Sequence, residues 1–346
     1  MLGMLGFAIA CEVGFRFLPV STSTQTGYYI DSAILTYPPR HRWQVATGWD
    51  LRNAQTLASN NLGFVANRDF VPAPTAVALI GDSYVEASML TAGDRPDVQL
   101  ERTTSPARLV YAMGGPGSAL LDYAERIRFA YQRLQVRDFV VLMESGDVRQ
   151  SICGSGNVHS ACLRANSFLP QTETQPPPSA LKRVVRNSAL AQYLFSQLKL
   201  DRGRLARQVF ALATPETGAA SAAVARATDQ GANLGNMGQG ADLKTVAAVA
   251  AEFFARVAPF VRDGRLVIVV DGRRGGPSAK PDARDLERAE FISLARAAGA
   301  RVVDTEMHYA AHAARSKRSL DVGPADGHLN GLGVQIVMTA AGQALR

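Results

Sequence analysis

The chain has 346 residues, 47% hydrophobic and 19% charged, with a formal net charge of +7. That length suffices for one large α/β domain carrying an insertion, and the composition excludes a polytopic membrane protein. The basic excess favours acidic partners, but Lys and Arg are scattered, with short clusters at 182–186, 273–274 and 315–318; without a basic stripe interleaved with aromatics, nucleic acid is not an expected partner.

The first ten residues are apolar, and Glu12 interrupts them well short of the roughly 20 residues a spanning helix needs. Ala8-Ile9-Ala10 has the form of a cleavage site but no basic start precedes it, and Cys11 lacks the leucine of a lipobox. The reading adopted is the tail of a membrane anchor over 1–16, which would make the rest extracytoplasmic (periplasmic); a buried N-terminal helix is the alternative. Residues 17–75 read as an irregular lead-in, with Pro38, Pro39, Pro72 and Pro74 as breakers.

From Ala76 the pattern changes. Apolar runs at 76–80, 109–113, 139–143, 266–270 and 301–303 read as buried strands, and 120–134, 243–261, 283–298 and 333–345 as helices. This alternation predicts a three-layer α/β/α sandwich with a parallel sheet over 76–346. The stretch 149–242 breaks the rhythm with Pro176-Pro177-Pro178, a helical segment at 179–209 and an Ala/Gly/Thr-rich run at 211–240, and reads as an insertion after the third strand. It contains Cys153 and Cys162, nine residues apart, a spacing that fits either a disulfide-closed loop or two free thiols. No CxxC pair or His/Cys cluster suggests a metal site.

Ligands of such sheets meet the carboxyl ends of the strands. Those ends carry Gly81-Asp82-Ser83, Gly114-Gly115-Pro116-Gly117-Ser118, Glu144-Ser145-Gly146-Asp147 and Asp271-Gly272-Arg273, with Asp326-Gly327-His328 before the last helix. Serine needs a base to become a nucleophile, usually a histidine oriented by a carboxylate. Of five histidines, His41 and His159 lie in irregular parts, and His308 and His312 on a helical stretch. His328 has Asp326 two residues back in an extended loop, where a period of two points both side chains the same way. Each element also has a plainer reading. Ser83 suits an N-cap, with Glu86 at capping-box spacing, and Asp326 suits a capping residue beside an exposed histidine. A helix behind Ser83 would offer N–H groups and a positive dipole end to an oxyanion.

In their order, Gly81-Asp82-Ser83, Gly117, Asp147 and the Asp326-x-His328-x-Asn330-x-x-Gly333 ending resemble the blocks of the SGNH (GDSL-type) hydrolase superfamily. "SNNLGFVANRDF" at 59–70 and "CEVGFRF" at 11–17 resemble membrane-anchored bacterial members. The resemblance covers roughly 59–150 and 262–346. It implies a flavodoxin-like fold, Ser83 as nucleophile, His328 as base and Asp326 as its orienter. The oxyanion donors would be the Ser83 and Gly117 amides and an asparagine at the position of Gly146. That asparagine is absent, as are the usual glycine at Ala87 and asparagine at Ala112; Asn157 and Gln150 are candidate replacements, and Asp82 and Asp147 candidate accessories. The D-x-H spacing resembles that of polysaccharide O-acetylation proteins.

The implied function is a serine esterase or deacetylase acting on an O-acylated glycan or lipid without a cofactor. Its rivals are an O-acyltransferase working with a membrane-bound acyltransferase partner, and a glycan-binding module on the same fold. Gly114-Gly115-Pro116-Gly117 lacks the G-x-G-x-x-G spacing of a dinucleotide site, and Tyr309 stands where H-E-x-x-H needs its glutamate. Asp271 and Glu144 could join the site from neighbouring strand ends, although a solvated loop charge is the preferred reading of each. Lys182, Arg183 and Arg186 read as the wet face of a helix, or as a contact for an anionic substrate if the insertion forms a lid.

Overall fold

The computed structural model describes residues 2–22, 26–177, 179, 186–198, 240–278, 280–323 and 326–346. The chain forms two compact units, one of residues 1–25, 42–57 and 176–239, the other of 26–41, 58–175 and 240–346.

The larger unit is built on five parallel strands, β1 (Val77–Gly81), β2 (Val110–Gly114), β3 (Asp138–Met143), β4 (Leu266–Val270) and β5 (Arg301–Asp304), in the order β5-β4-β3-β1-β2. Around them run α1 (Ser83–Glu86), α2 (Pro96–Thr103), α3 (Leu120–Leu134), α4 (Asp147–Gln150), α5 (Leu243–Val257), α6 (Ala283–Ala297), α7 (Thr305–Ala313) and α8 (Gly331–Ala344). Every residue of β1 to β4 is buried, as a sheet covered on both faces requires. Alternation along the strands sends Ile80, Met113, Val141 and Ile268 into one core, where Ile127 of α3, Phe253 of α5 and Phe291 of α6 meet them. Leu79, Ala112, Leu142 and Val269 enter the other, with Leu100 of α2, Tyr309 of α7 and Val337 of α8. The α/β/α layering and the insertion after β3 expected from the sequence are therefore present, and the strand order is flavodoxin-like. β1 lies between β2 and β3, so the strand order reverses there and the topological switch point falls at the carboxyl ends of β1 and β3. The end of β2 packs tightly against α1: a Cβ on Gly114 would stand 2.3 Å from the Glu86 amide nitrogen, so only glycine fits.

Residues 17–75 are more ordered than the proline breakers implied. They carry a hairpin of Gly27–Asp31 with Ile34–Thr36 and a second two-stranded pairing of Arg42–Thr47 with Arg52–Ala58. Short strands with few turn signals hide within an aromatic-rich stretch, because their pairing rather than their composition defines them. The insertion is divided between the units. Residues 149–175 belong to the larger one and include the Cys153–Cys162 disulfide and the hairpin Ala161–Leu163/Pro170–Thr172. Within the helix expected at 179–209, Ala189–Gln192 is helical and Tyr193–Gln197 forms a π turn; residues 180–185, with Lys182 and Arg183, residues 199–209 and the run at 211–239 lie outside the described residues.

The expected N-terminal membrane anchor is overturned. In the smaller unit, Leu2–Phe15 forms a helix of 14 residues, about 21 Å long against a hydrocarbon core of about 30 Å. No helix among the described residues is long and apolar enough to cross a membrane. The periplasmic assignment rested on that anchor and falls with it. Glu12, the charge that ends the apolar run, has a local partner instead. Its carboxylate accepts the Ser188 hydroxyl at 2.7 Å, the Leu190 amide at 3.0 Å and the Ala189 amide at 3.1 Å, capping the helix Ala189–Gln192. These donors, the Leu190 amide foremost, pull its pKa down to about 2.

Candidate active site

Asp82, not Ser83, caps α1: its Oδ1 accepts the Tyr84 amide at 2.8 Å. Glu86 makes no capping box either. It is buried, accepts the Tyr37 hydroxyl at 3.1 Å, and burial pushes its pKa up to about 7. Ser83 is the first helical residue, and its Oγ lies 2.9 Å from His328 Nε2. α1 is a single turn, too few aligned peptides to give the macrodipole the sequence reading invoked. Ala87, which follows it, sits at φ 46°; that left-handed conformation is the reason a glycine suits this position.

Asp326 and His328 lie on β7 (Asp326–Leu329), paired antiparallel with β6 (Asp321–Gly323). The period of two in a strand brings them to the same side. Asp326 Oδ1 is 2.6 Å from His328 Nδ1 and also accepts the His328 amide at 3.1 Å. A proton on Nδ1 satisfies that carboxylate, so Nε2 is the ring atom left to accept from Ser83. Asn330 fixes the exit from the strand. Its Oδ1 caps α8, and its Nδ2 donates to Ser319 O at 2.8 Å and Asp321 O at 3.1 Å. The structure thus brings two segments 245 residues apart into hydrogen-bond contact.

The donors expected around this contact fall into two groups. Among the described residues, no acceptor takes the Ser83 or Gly117 amide or the Asn157 side-chain amide. Asn157 Oδ1 would stand 3.2 Å from a Gly117 Cβ, so its side chain lies over that glycine. Gly146 belongs elsewhere: its amide donates to Glu144 Oε2 at 2.7 Å. A Cβ there would meet that same oxygen at 2.5 Å, with Gln150 Nε2 at 3.2 Å. Position 146, where the resemblance places the third donor, therefore offers none from its backbone either, because the short Glu144-to-Gly146 turn folds the carboxylate back onto the amide.

The remaining candidates make other contacts. Asp82 Oδ2 is 3.5 Å from Ser83 Oγ, and burial raises the Asp82 pKa against the opposing pull of the Tyr84 amide and His328. Asp147 is buried, accepting the Tyr123 hydroxyl and the Glu144 amide at 2.9 Å each. Burial, reinforced by Asp82 and Glu144, pushes its pKa well above the carboxylate range, and neither Ser83 nor His328 is among its partners. Asp271 and Glu144 are not solvated loop charges: Asp271 is 8% exposed and paired with Arg274, and Glu144 accepts the Gly146 amide and the Ser145 hydroxyl. His159 is buried and burial lowers its pKa to about 4; its amide is held by Asp122 at 3.1 Å. His312 is half-buried, with Nε2 3.0 Å from Arg318 O.

Sequence reasoning missed Arg126. It is fully buried on α3 and donates to Gly81 O at 2.6 Å, Met113 O at 3.2 Å and the Ser118 hydroxyl, joining the ends of β1 and β2 beside the serine. The available signal was an arginine three residues after Tyr123 and four before Ala130, inside the apolar stripe of α3.

No family model and no curated protein matches the sequence. Among solved structures, the chain is similar to LAE5, an alpha/beta hydrolase enzyme from the metagenome of Lake Arreo, Spain, at 13% identity over 79% of this chain and 96% of that one, with a TM-score of 0.43. It is similar to Axe2, an acetylxylan esterase from Geobacillus stearothermophilus, at 11% identity over 80% and 95%, with a TM-score of 0.41. It is also similar to a lipase/acylhydrolase from Enterococcus faecalis, at 9% identity over 78% and 93%, with a TM-score of 0.37.

Proposed function

We propose that the chain is a serine esterase of the SGNH type, cleaving an O-acyl ester through an acyl-serine intermediate. The observation that carries this reading is the chain of contacts from Ser83 Oγ to His328 Nε2 at 2.9 Å and from His328 Nδ1 to Asp326 Oδ1 at 2.6 Å. In the first half-reaction Ser83 Oγ attacks the ester carbonyl carbon and His328 Nε2 takes the hydroxyl proton. Asp326 holds the ring in the accepting tautomer and offsets the charge of the imidazolium. The carbonyl oxygen becomes an oxyanion, for which the Ser83 and Gly117 amides and the Asn157 side chain are donors. The tetrahedral adduct collapses, His328 returns the proton to the leaving alcohol, and Ser83 is left acylated. In the second half-reaction His328 takes a proton from water, the hydroxide attacks the acyl carbon, and the acid leaves as Ser83 regains its proton. The D-x-H spacing, similar to that of polysaccharide O-acetylation proteins, supports an O-acylated glycan as the substrate class.

The test is hydrolysis of an aryl acetate by the purified chain and by His328→Ala. Turnover by the first and not by the second supports the reading, and equal rates in both contradict it. The role of Asn157 is separable. Asn157→Ala is expected to lower kcat by about 10²–10³ with little change in KM, the usual cost of one oxyanion donor. Steady-state kinetics on the same ester check this, and a kcat within a factor of about two of the parent would remove Asn157 from the donor set.

A further inference from the structure

We propose that Arg274 is a positioning residue for His328, tying β7 to the carboxyl end of β4; the proposal rests on His328 being the base. Arg274 Nη1 donates to both oxygens of Asp271 at 2.8 Å and to Gly272 O at 3.0 Å. Its Nε donates to Asp321 Oδ1 on β6 at 2.9 Å, and its Nη2 reaches Gly327 O, in the peptide preceding His328, at 3.3 Å. The same carbonyl accepts the Tyr84 hydroxyl at 3.2 Å, and the Tyr84 ring lies against the imidazole with centroids 5.0 Å apart. One donor thus comes from the helix that carries Ser83, and the other from the loop after β4.

The arginine is itself anchored in the core. Asp271 accepts the hydroxyl of the fully buried Tyr309 at 2.7 Å, and the guanidinium lies 4.8 Å from the Tyr309 ring centre. Two carboxylates, Asp271 and Asp321, offset its charge, so it is not placed to receive an anionic substrate. Its planar fork suits this joint, since it serves four partners in fixed directions as an ammonium does not. A two-stranded ribbon such as β6–β7 is marginal alone. Asn330 holds its far end, and Arg274 with Tyr84 holds the peptide next to the imidazole.

Freed of this joint, His328 is expected to drift from Ser83, and a misplacement of about 1 Å costs about 10²-fold in rate. Arg274→Met in the full chain is therefore expected to lower kcat on an aryl acetate about 10²-fold with KM within about twofold of the parent. Arg274→Lys, which keeps the charge but not the fork, is expected to recover part of that loss. Tyr84→Phe, which leaves every ion pair intact, is expected to lose about tenfold. If Arg274→Met fails to fold, Tyr84→Phe decides: an unchanged kcat there overturns the proposal. So does Arg274→Met turning over like the parent while His328→Ala is inactive, or a change confined to KM. Parent and His328→Ala hydrolysing alike would instead overturn the reading of His328 as the base.

Discussion

Ser83→Ala is expected to reduce kcat on an aryl acetate by about 10⁶-fold, the scale on which removing the nucleophile of a serine triad acts. The size follows from what remains. Asp82, whose Oδ2 lies 3.5 Å from Ser83 Oγ, has its Oδ1 engaged by the Tyr84 amide, so it is a poor substitute nucleophile. The candidate donors at Ser83, Gly117 and Asn157 survive the change, and a residual acceleration of about 10³–10⁴ over water is the expected floor. The fold should be unaffected, because α1 is capped by Asp82 and packed through Val85 and Glu86, both buried. Parallel kinetics and thermal unfolding check both halves; a loss below about tenfold would show that the hydroxyl does not carry the reaction.

Asp326→Asn is expected to cost about 10⁴-fold in kcat with the local geometry kept. Asp326 Oδ1 receives both the His328 ring and the His328 backbone amide. An asparagine can satisfy the backbone amide with its oxygen and turn its NH₂ toward Nδ1. The ring then carries its proton on Nε2, where it faces Ser83 and cannot accept the hydroxyl proton. The defect lies in the tautomer rather than in binding, so KM should stay near the parent value. A kcat loss below about tenfold would mean that Asp326 is a capping residue and not the orienter of the base.

The parts of this molecule that the sequence made legible are those with strong local patterns. The β1, β2, β3 and β4 runs are continuously apolar because both faces of the sheet are covered. Asp326 and His328 were readable because an extended strand has a period of two. What stayed hidden depends on the third dimension. Arg126 reads as an ordinary helix arginine until the carbonyls of Gly81 and Met113 are brought over it. Asp271 and Arg274, three apart, read as loop charges until Asp321, Tyr309 and Gly327 close around them. Gly146 occupies a donor's place in the sequence, but a carboxylate two residues away takes its amide. Glu12 was read as the break in an anchor, whereas its partners Ser188, Ala189 and Leu190 lie about 176 residues along the chain.

The central claim is that residues 83 and 328 form one reactive pair. A fluorophosphonate, which bonds only to an activated hydroxyl, tests it most directly when the labelled chain is digested and the adduct located by tandem mass spectrometry. The expected result is a single adduct on Ser83 in the parent chain and none in His328→Ala. An adduct on another residue, or equal labelling of Ser83 with and without the imidazole, would contradict it.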